Sequence, residues 1–328
     1  MLFGGAAVST HMRAVRYHEH GGREVLQVED VDRPDPGRDE ALVRVEAASV
    51  NPVDTYFREG SYPPGDLPWI PGSDVAGVVE ATGPESEYAA GDRVVATGLG
   101  NDRPGTCAEY VAVPGDLLTT LPEGVDFDAG AAAALVGVTA WQSLVAACGV
   151  DPGDRALVHG GSGGVGHLAV QIAAAAGADV TTTASPEYHD GLRELGADDV
   201  LDYRRDDLQD AIEAAGAPDA ILDHRLDDYL PLDCEVAAFD ADVAAIGNSD
   251  LEATFPNVPA ARSKALSVHH VSMFNTPAMG EVVGRVVGLA ASGDLTVEIA
   301  REYGLDEVEE AQRAVLEDSF LGKAVVRP

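Results

Sequence analysis

Residues 155–166 read Arg-Ala-Leu-Val-His-Gly-Gly-Ser-Gly-Gly-Val-Gly, and this stretch constrains the fold more than any other. Gly161, Gly163 and Gly166 form a G-x-G-x-x-G pattern. Alone, that pattern is weak. Here an apolar strand-like run, Ala156 to His159, precedes it, and an alanine-rich helical run, Gly164 to Ala176, follows and stops at Gly177. That context gives the pattern a physical meaning. Glycines allow the tight turn and let backbone approach a diphosphate, which then rests on free N–H groups at the positive end of the helix dipole. Gly161, Ser162, Gly163, Gly164, Val165 and Gly166 are therefore the expected cradle of a dinucleotide.

The second strand of such a unit tells which dinucleotide. A site for NAD places a carboxylate at its end, about 20 residues on, to bond the ribose 2′-hydroxyl. Here that strand ends Thr181-Thr182-Thr183-Ala184-Ser185, without one. In so acidic a chain the absence favours NADPH. Ser185 and Tyr203 line the expected pocket, and Arg204 is the candidate for the 2′-phosphate; its alternative role is a solvated surface arginine.

The strand–helix alternation continues. Val180 to Ala184, Val200-Leu201, Ala220 to Leu222 and Val243 to Ile246 read as strands. Glu187 to Leu195 and Leu208 to Ala215 read as helices ended by glycine. Repeated units of this kind imply α/β architecture, a doubly wound parallel sheet of Rossmann type. The first third reads differently, as short strands (Ala14 to Tyr17, Val25 to Val28, Ala41 to Ala47, Val75 to Glu80, Arg93 to Thr97, Ala108 to Val113) punctuated by Gly, Pro and Asp. That is the pattern of a small antiparallel barrel or sandwich. The end of the chain, with helix Pro277 to Ala291, strand Thr296 to Tyr303, helix Asp306 to Leu316 and strand Lys323 to Val326, resembles that opening. The expected organisation is a nucleotide-binding domain, 134–276, inserted into a β-rich outer domain, 12–133 and 277–328. Residues 1–11 are expected to be a flexible extension.

Charge excludes some partners. The chain carries 21 basic and 56 acidic residues, a net −35, with 45% apolar residues. The apolar content is that of a folded protein, so the acid coats a globular body. Such a surface repels phosphate backbones and anionic lipid, which argues against nucleic acid and membrane. No uninterrupted run of about 18 apolar residues is present, so no span is expected. Lys264 and Lys323 are the only lysines. Acid excess with almost no lysine reads as adaptation to a high-salt cytoplasm, where a Debye length of about 3 Å screens the repulsion. Cys107, Cys148 and Cys234 are widely spaced, as expected of reduced cytoplasmic thiols rather than a disulfide frame.

From Met12 onward the chain resembles the zinc-independent medium-chain dehydrogenase/reductases, the quinone oxidoreductase (zeta-crystallin-like) group. The landmarks are Asn51-Pro-Val-Asp54, Gly60-Ser-Tyr-Pro63, Pro71-Gly-Ser-Asp-Val-Ala-Gly77, Gly91-Asp-Arg-Val94, Leu135 to Trp141, Gly153 through Gln171, and Gly322-Lys323. The resemblance implies a GroES-like outer domain, a homodimer paired along the sheet edge near 243–272, and no zinc. The similar zinc enzymes have cysteine where Asn51 stands and Gly-His-Glu where Gly72-Ser73-Asp74 stands. A tetrahedral zinc site needs such thiolate and imidazole ligands. His159 reads as a satisfied core residue under the glycine loop.

Reduction without a metal needs hydrogen-bond donors to polarise the acceptor. The resemblance puts Asn51 and Tyr62 at the nicotinamide end of the cleft, Tyr62 as proton donor or substrate anchor; packing against Trp69 is its alternative role. Tyr56 and Arg58 are secondary catalytic candidates. Thr139, whose alternative is a bond back to its own helix, joins Asn51, Gly247, Phe274, Asn275 and Lys323 as expected cofactor neighbours. The implied activity is NADPH-dependent reduction of a small-molecule quinone or enone. Rival readings are an enoyl-thioester or alkenal double-bond reductase on the same scaffold, and a non-catalytic NADPH-binding protein.

Overall fold

The computed structural model describes residues 10–328. The chain opens with strands β1 (His11–Arg16) and β2 (Gln27–Asp32), paired antiparallel, His11 opposite Asp32. The extension expected over 1–11 is thus shortened at its end, because His11 is already in a strand; residues 1–9 lie outside the described residues. Next come β3 (Glu40–Ser49), α1 (Pro52–Glu59), β4 (Asp74–Thr82), β5 (Arg93–Ala96), β6 (Tyr110–Pro114) and β7 (Leu118–Thr120). The long strand β3 is the hub, antiparallel to both β4 and β6.

Helix α2 (Phe127–Trp141) follows, and its path continues as a π-helical turn, Gln142–Ala147. Asp126 caps it, with Oδ1 accepting from the Ala129 N–H at 2.7 Å. Every residue from Gly130 to Ala140 is buried. Small side chains make that possible: a Cβ on Gly137 would fall 2.5 Å from Val286 of a neighbouring helix. The helical path Phe127–Ala147 has 21 residues and enough hydropathy to cross a membrane, although the sequence holds no unbroken apolar run of that length. Interruptions such as Gly137, Thr139 and Gln142 hide it from a search for unbroken apolar runs. About 72% of its most apolar window is buried inside the protein, where it packs on β3, β4 and α3. The helix also crosses the 133/134 division, packing on β3 and β4 of one sheet, while its π-helical continuation meets β11 and β12 of the parallel sheet.

The parallel unit comprises β8 (Arg155–Val158), α3 (Gly164–Ala176), β9 (Asp179–Thr183), α4 (His189–Glu194), β10 (Asp199–Leu201), α5 (Leu208–Ala215), β11 (Ala220–Asp223), α6 (Leu226–Val236), β12 (Asp242–Ala245), α7 (Val258–Ser263) and β13 (Ser267–His270). Its six strands are all parallel, in the order β10-β9-β8-β11-β12-β13. The order reverses beside β8, so the ligand crevice of this topology opens at the C-terminal ends of β8 and β11. The chain closes with α8 (Met279–Ser292), β14 (Ile299–Gly304), α9 (Val308–Glu317) and β15 (Lys323–Arg327). β15 pairs with β3, returning the C-terminal segment to the first sheet, whose order is β14-β15-β3-β4-β5-β7.

Candidate active site

The glycine loop sits at that crevice. After β8, the His159 N–H donates to Leu222 O at 3.0 Å, and the Gly161 N–H to Thr183 O at 2.9 Å. The loop is thereby tied to both neighbouring strands. A Cβ on Gly161 would meet Thr182 Oγ1 at 2.1 Å, and one on Gly166 would meet Gly160 O at 2.1 Å, so these two glycines serve packing. Gly163 differs: its Cβ would meet only Gly160 O, at 3.3 Å. No side chain caps α3, and its first closed backbone bond is the His167 N–H to Gly163 O. The N–H groups of residues 164–166 are thus left to a ligand. This cradle fits a dinucleotide diphosphate.

The layer below the loop is polar. His159 Nε2 is 2.9 Å from Asp233 Oδ1, and its ring stacks on Tyr229 with centroids 4.1 Å apart. Burial and the charge of Asp233 push the Asp223 carboxyl up. His224 covers Gly160, and burial holds its imidazole down at about 4. His167 is also depressed to about 4 by burial. Both histidines are neutral at pH 7.

After β9, Ser185 precedes a 3-10 turn, Pro186–Tyr188. Tyr203 is 44% exposed, with the Arg204 guanidinium 5.3 Å from its ring centroid. Arg204 is not a free cation: Nε donates to Asp202 Oδ1 at 3.0 Å. Gly247 follows β12, where a Cβ would fall 2.6 Å from His224 O.

Asn51 is the N-cap residue of α1 and is buried in a hydrogen-bonded network. Lys323 Nζ donates to Asn51 Oδ1 at 2.6 Å and to Val50 O at 2.7 Å. Asn51 Nδ2 donates to Asp74 Oδ2 at 2.8 Å, and the Asn51 N–H to Asp54 Oδ2 at 2.9 Å. Ser49 Oγ donates to Asp74 Oδ2 at 2.6 Å, the Leu135 N–H to Asp74 Oδ1, and Ser73 Oγ to Asp54 Oδ1. Burial raises both aspartates, Asp54 to about 7, and lowers the Lys323 ammonium. The donor set does not suit zinc: an amide and a hydroxyl stand at the ligand positions, and hydrogen bonds occupy both. Among the described residues no group of three or more His, Cys, Asp or Glu side chains is arranged to hold a metal.

The other candidates are dispersed. Tyr62 is 62% exposed, and its ring lies 6.5 Å from that of Tyr56, not on Trp69, whose Nε1 donates to Gly100 O. Arg58 is buried, bonded to Glu59, with Tyr17 and Glu24 as its other charged or phenolic neighbours. That interior position removes it from the exposed tyrosine pair. Thr139 Oγ1 donates to Leu135 O at 2.9 Å, the bond back to its own helix. Phe274 and Asn275 lie in a 3-10 turn, and Phe274 sets its ring edge-on to Phe57 of α1, 5.8 Å away. Asp54 and Ser49 carried no signal of a role in sequence beyond lying in or next to the family landmarks, and Ser73 and Asp74 none beyond standing where the similar zinc enzymes have His and Glu.

Residues 37–123 match the alcohol dehydrogenase GroES-like domain and residues 164–287 the zinc-binding dehydrogenase domain. A quinone oxidoreductase of Pongo abelii is 35% identical over 94% of this chain and 95% of its own length. An Arabidopsis thaliana NADPH-dependent alkenal/one oxidoreductase is 37% identical over 62% of this chain and 56% of its own length. Among solved structures, an NAD-dependent alcohol dehydrogenase superposes with TM-score 0.91 and 31% identity, covering 97% of this chain and all of the other. The Escherichia coli quinone oxidoreductase complexed with NADPH gives 0.85 and 27%, covering 96% and all, respectively. With the inserted parallel sheet, the glycine cradle and this likeness along nearly its whole length, the chain belongs to the quinone oxidoreductase family of medium-chain dehydrogenase/reductases.

Proposed function

We propose that this protein is an NADPH-dependent reductase of small quinones and conjugated carbonyls that works without a metal. The observation that carries the reading is the juxtaposition of an uncapped helix N-terminus behind a glycine loop with a hydrogen-bonded, ligand-poor network at Asn51. NADPH, when bound, supplies the hydride. The chain supplies position and protons. Residues 161–166 cradle the diphosphate. Ser185, Tyr203 and Arg204 form the 2′-phosphate end, Arg204 after exchanging part of its bond to Asp202. Asn51, Thr139, Gly247, Phe274, Asn275 and Lys323 border the nicotinamide end. Tyr62, with Tyr56 beside it, offers a phenol hydroxyl to donate a proton to a reduced oxygen. The alkenal/one reductase relative supports conjugated carbonyls beside quinones. The reading includes a cytoplasmic homodimer, paired along the exposed edge of β13.

The test is NADPH oxidation against a panel of quinones and enones, at low and at molar salt. Turnover with NADPH exceeding that with NADH is the expected result. Tight NADPH binding with no turnover of any acceptor sinks the enzyme reading, and a preference for NADH overturns the cofactor assignment.

A further inference from the structure

Lys323 is one of two lysines in the chain, and it is buried. Its stem runs beneath the glycine loop: a Cβ on Gly164 would meet Lys323 Cδ at 2.8 Å. The residue before it ties the same loop, the Gly322 N–H donating to Ser162 O at 2.9 Å. Its ammonium reaches the other half of the molecule, at Val50 O and Asn51 Oδ1. One side chain thus spans from the diphosphate cradle to the cap of α1.

The ends of the Asn51 amide are decided by this arrangement. An ammonium only donates, so Lys323 requires the amide oxygen. The Asp74 carboxylate accepts, so it requires the amide nitrogen, and it takes one Nδ2 hydrogen. The second Nδ2 hydrogen is directed by the other two bonds. An arginine would not substitute: its planar fork needs more room than a point-like ammonium on a flexible stem. This accounts for a lysine kept where the rest of the chain uses arginine almost throughout.

We propose that Lys323 is a positioning residue: it locks the Asn51 amide oxygen inward, so that Asn51 faces the nicotinamide end as a hydrogen-bond donor, in fixed register with the diphosphate loop. The inference rests on the reductase reading for its kinetic consequence, though not for the tie itself. Methionine keeps the stem under Gly164 and removes the donor. In Lys323→Met the single-turnover hydride-transfer rate falls about tenfold or more, as expected for lost orientation. NADPH affinity changes by less than about threefold, because the cradle is intact. The isotope effect with deuterated NADPH rises as hydride transfer becomes limiting. Asn51→Ala gives a similar loss, and the double variant loses no more than either single one, since the two residues act as one unit. Lys323→Arg does not restore the rate.

Removing the ammonium strands the buried Asp74. If Lys323→Met does not fold, Lys323→Met with Asp74→Asn is the second variant, and the same losses are expected. A readout independent of turnover is the side-chain amide resonance of Asn51. It moves in Lys323→Met and not in Lys264→Met, which alters the other lysine. Rate losses that multiply, a wild-type rate in Lys323→Met, or an unmoved Asn51 resonance overturns the proposal. A wild-type protein that reduces no acceptor sinks the reductase reading instead, and the resonance still decides the tie.

Discussion

Asp54 is wholly buried beside a second buried aspartate, Asp74, with Lys323 the nearby cation. Desolvation raises it from about 3.8 to about 7. A carboxyl whose folded pKa lies above its unfolded value binds more protons in the folded state between those values. Its contribution to stability is therefore fully present below about 4 and lost as pH rises through about 7. Asp54→Asn should flatten this part of the profile. Chemical denaturation at pH 5 and pH 8 is the measurement: the wild-type loss between the two should exceed that of the variant. Equal slopes would show that Asp54 stays ionised. Asn51 was legible in the sequence because an amide standing where a metal ligand is usual demands an explanation. The burial of Asp54 and Asp74 was not, because two aspartates among 56 acidic residues give no sign in sequence of which lose their solvent. Arg58 read as a donor near the cleft, but the face of a short helix it occupies is settled only by what packs on that helix.

The glycine loop was readable at the level of the element, since its flanks change from strand to helix within ten residues. The helix Gly164–Ala176 occurs with the bounds the sequence predicted. The three glycines of the motif, however, do different work. Gly166→Ala drives a methyl into Gly160 O and should lower both thermal stability and NADPH affinity. Gly163→Ala has room to relax within the protein, so its melting temperature should change little while NADPH affinity drops at least about tenfold, the added methyl standing where the diphosphate belongs. Calorimetry and cofactor titration on both variants check this; equal affinity in Gly163→Ala would place the diphosphate elsewhere. Other elements escaped the sequence. α6 contains Pro231 and aspartates at 227, 228 and 233, so its helical period is faint. α1 is short and lies in a run whose prolines resemble loop punctuation. The path of α2 into its π-helical turn has no strong apolar period, because it is buried nearly all round; only its packing on β3, β4 and α3 shows it as one element.

Across the whole molecule, charge and fold separate. Among the described residues only Asp54, Asp74, Asp223 and Asp233 of the acidic side chains are buried. The rest coat the surface. Ion pairs such as Arg313 with Glu310, Glu317 and Asp318 neutralise part of the excess. Exposed pairs are worth about 0–1 kcal/mol each and cannot offset a net −35 at low ionic strength. Melting temperature and NADPH-dependent activity should both rise from dilute buffer to molar potassium chloride, and a protein fully stable in dilute buffer would refute the reading of its charge. The sequence by itself determined the alternation of elements, the dinucleotide cradle and the acidic coat, because these follow from local period, glycine spacing and composition. Tertiary structure alone decided which aspartates lose their solvent and which way the Asn51 amide faces. It also decided that a lysine 272 residues away in the chain holds that amide. Those are consequences of burial and of contacts distant in sequence, and neither leaves a periodic trace in the order of residues.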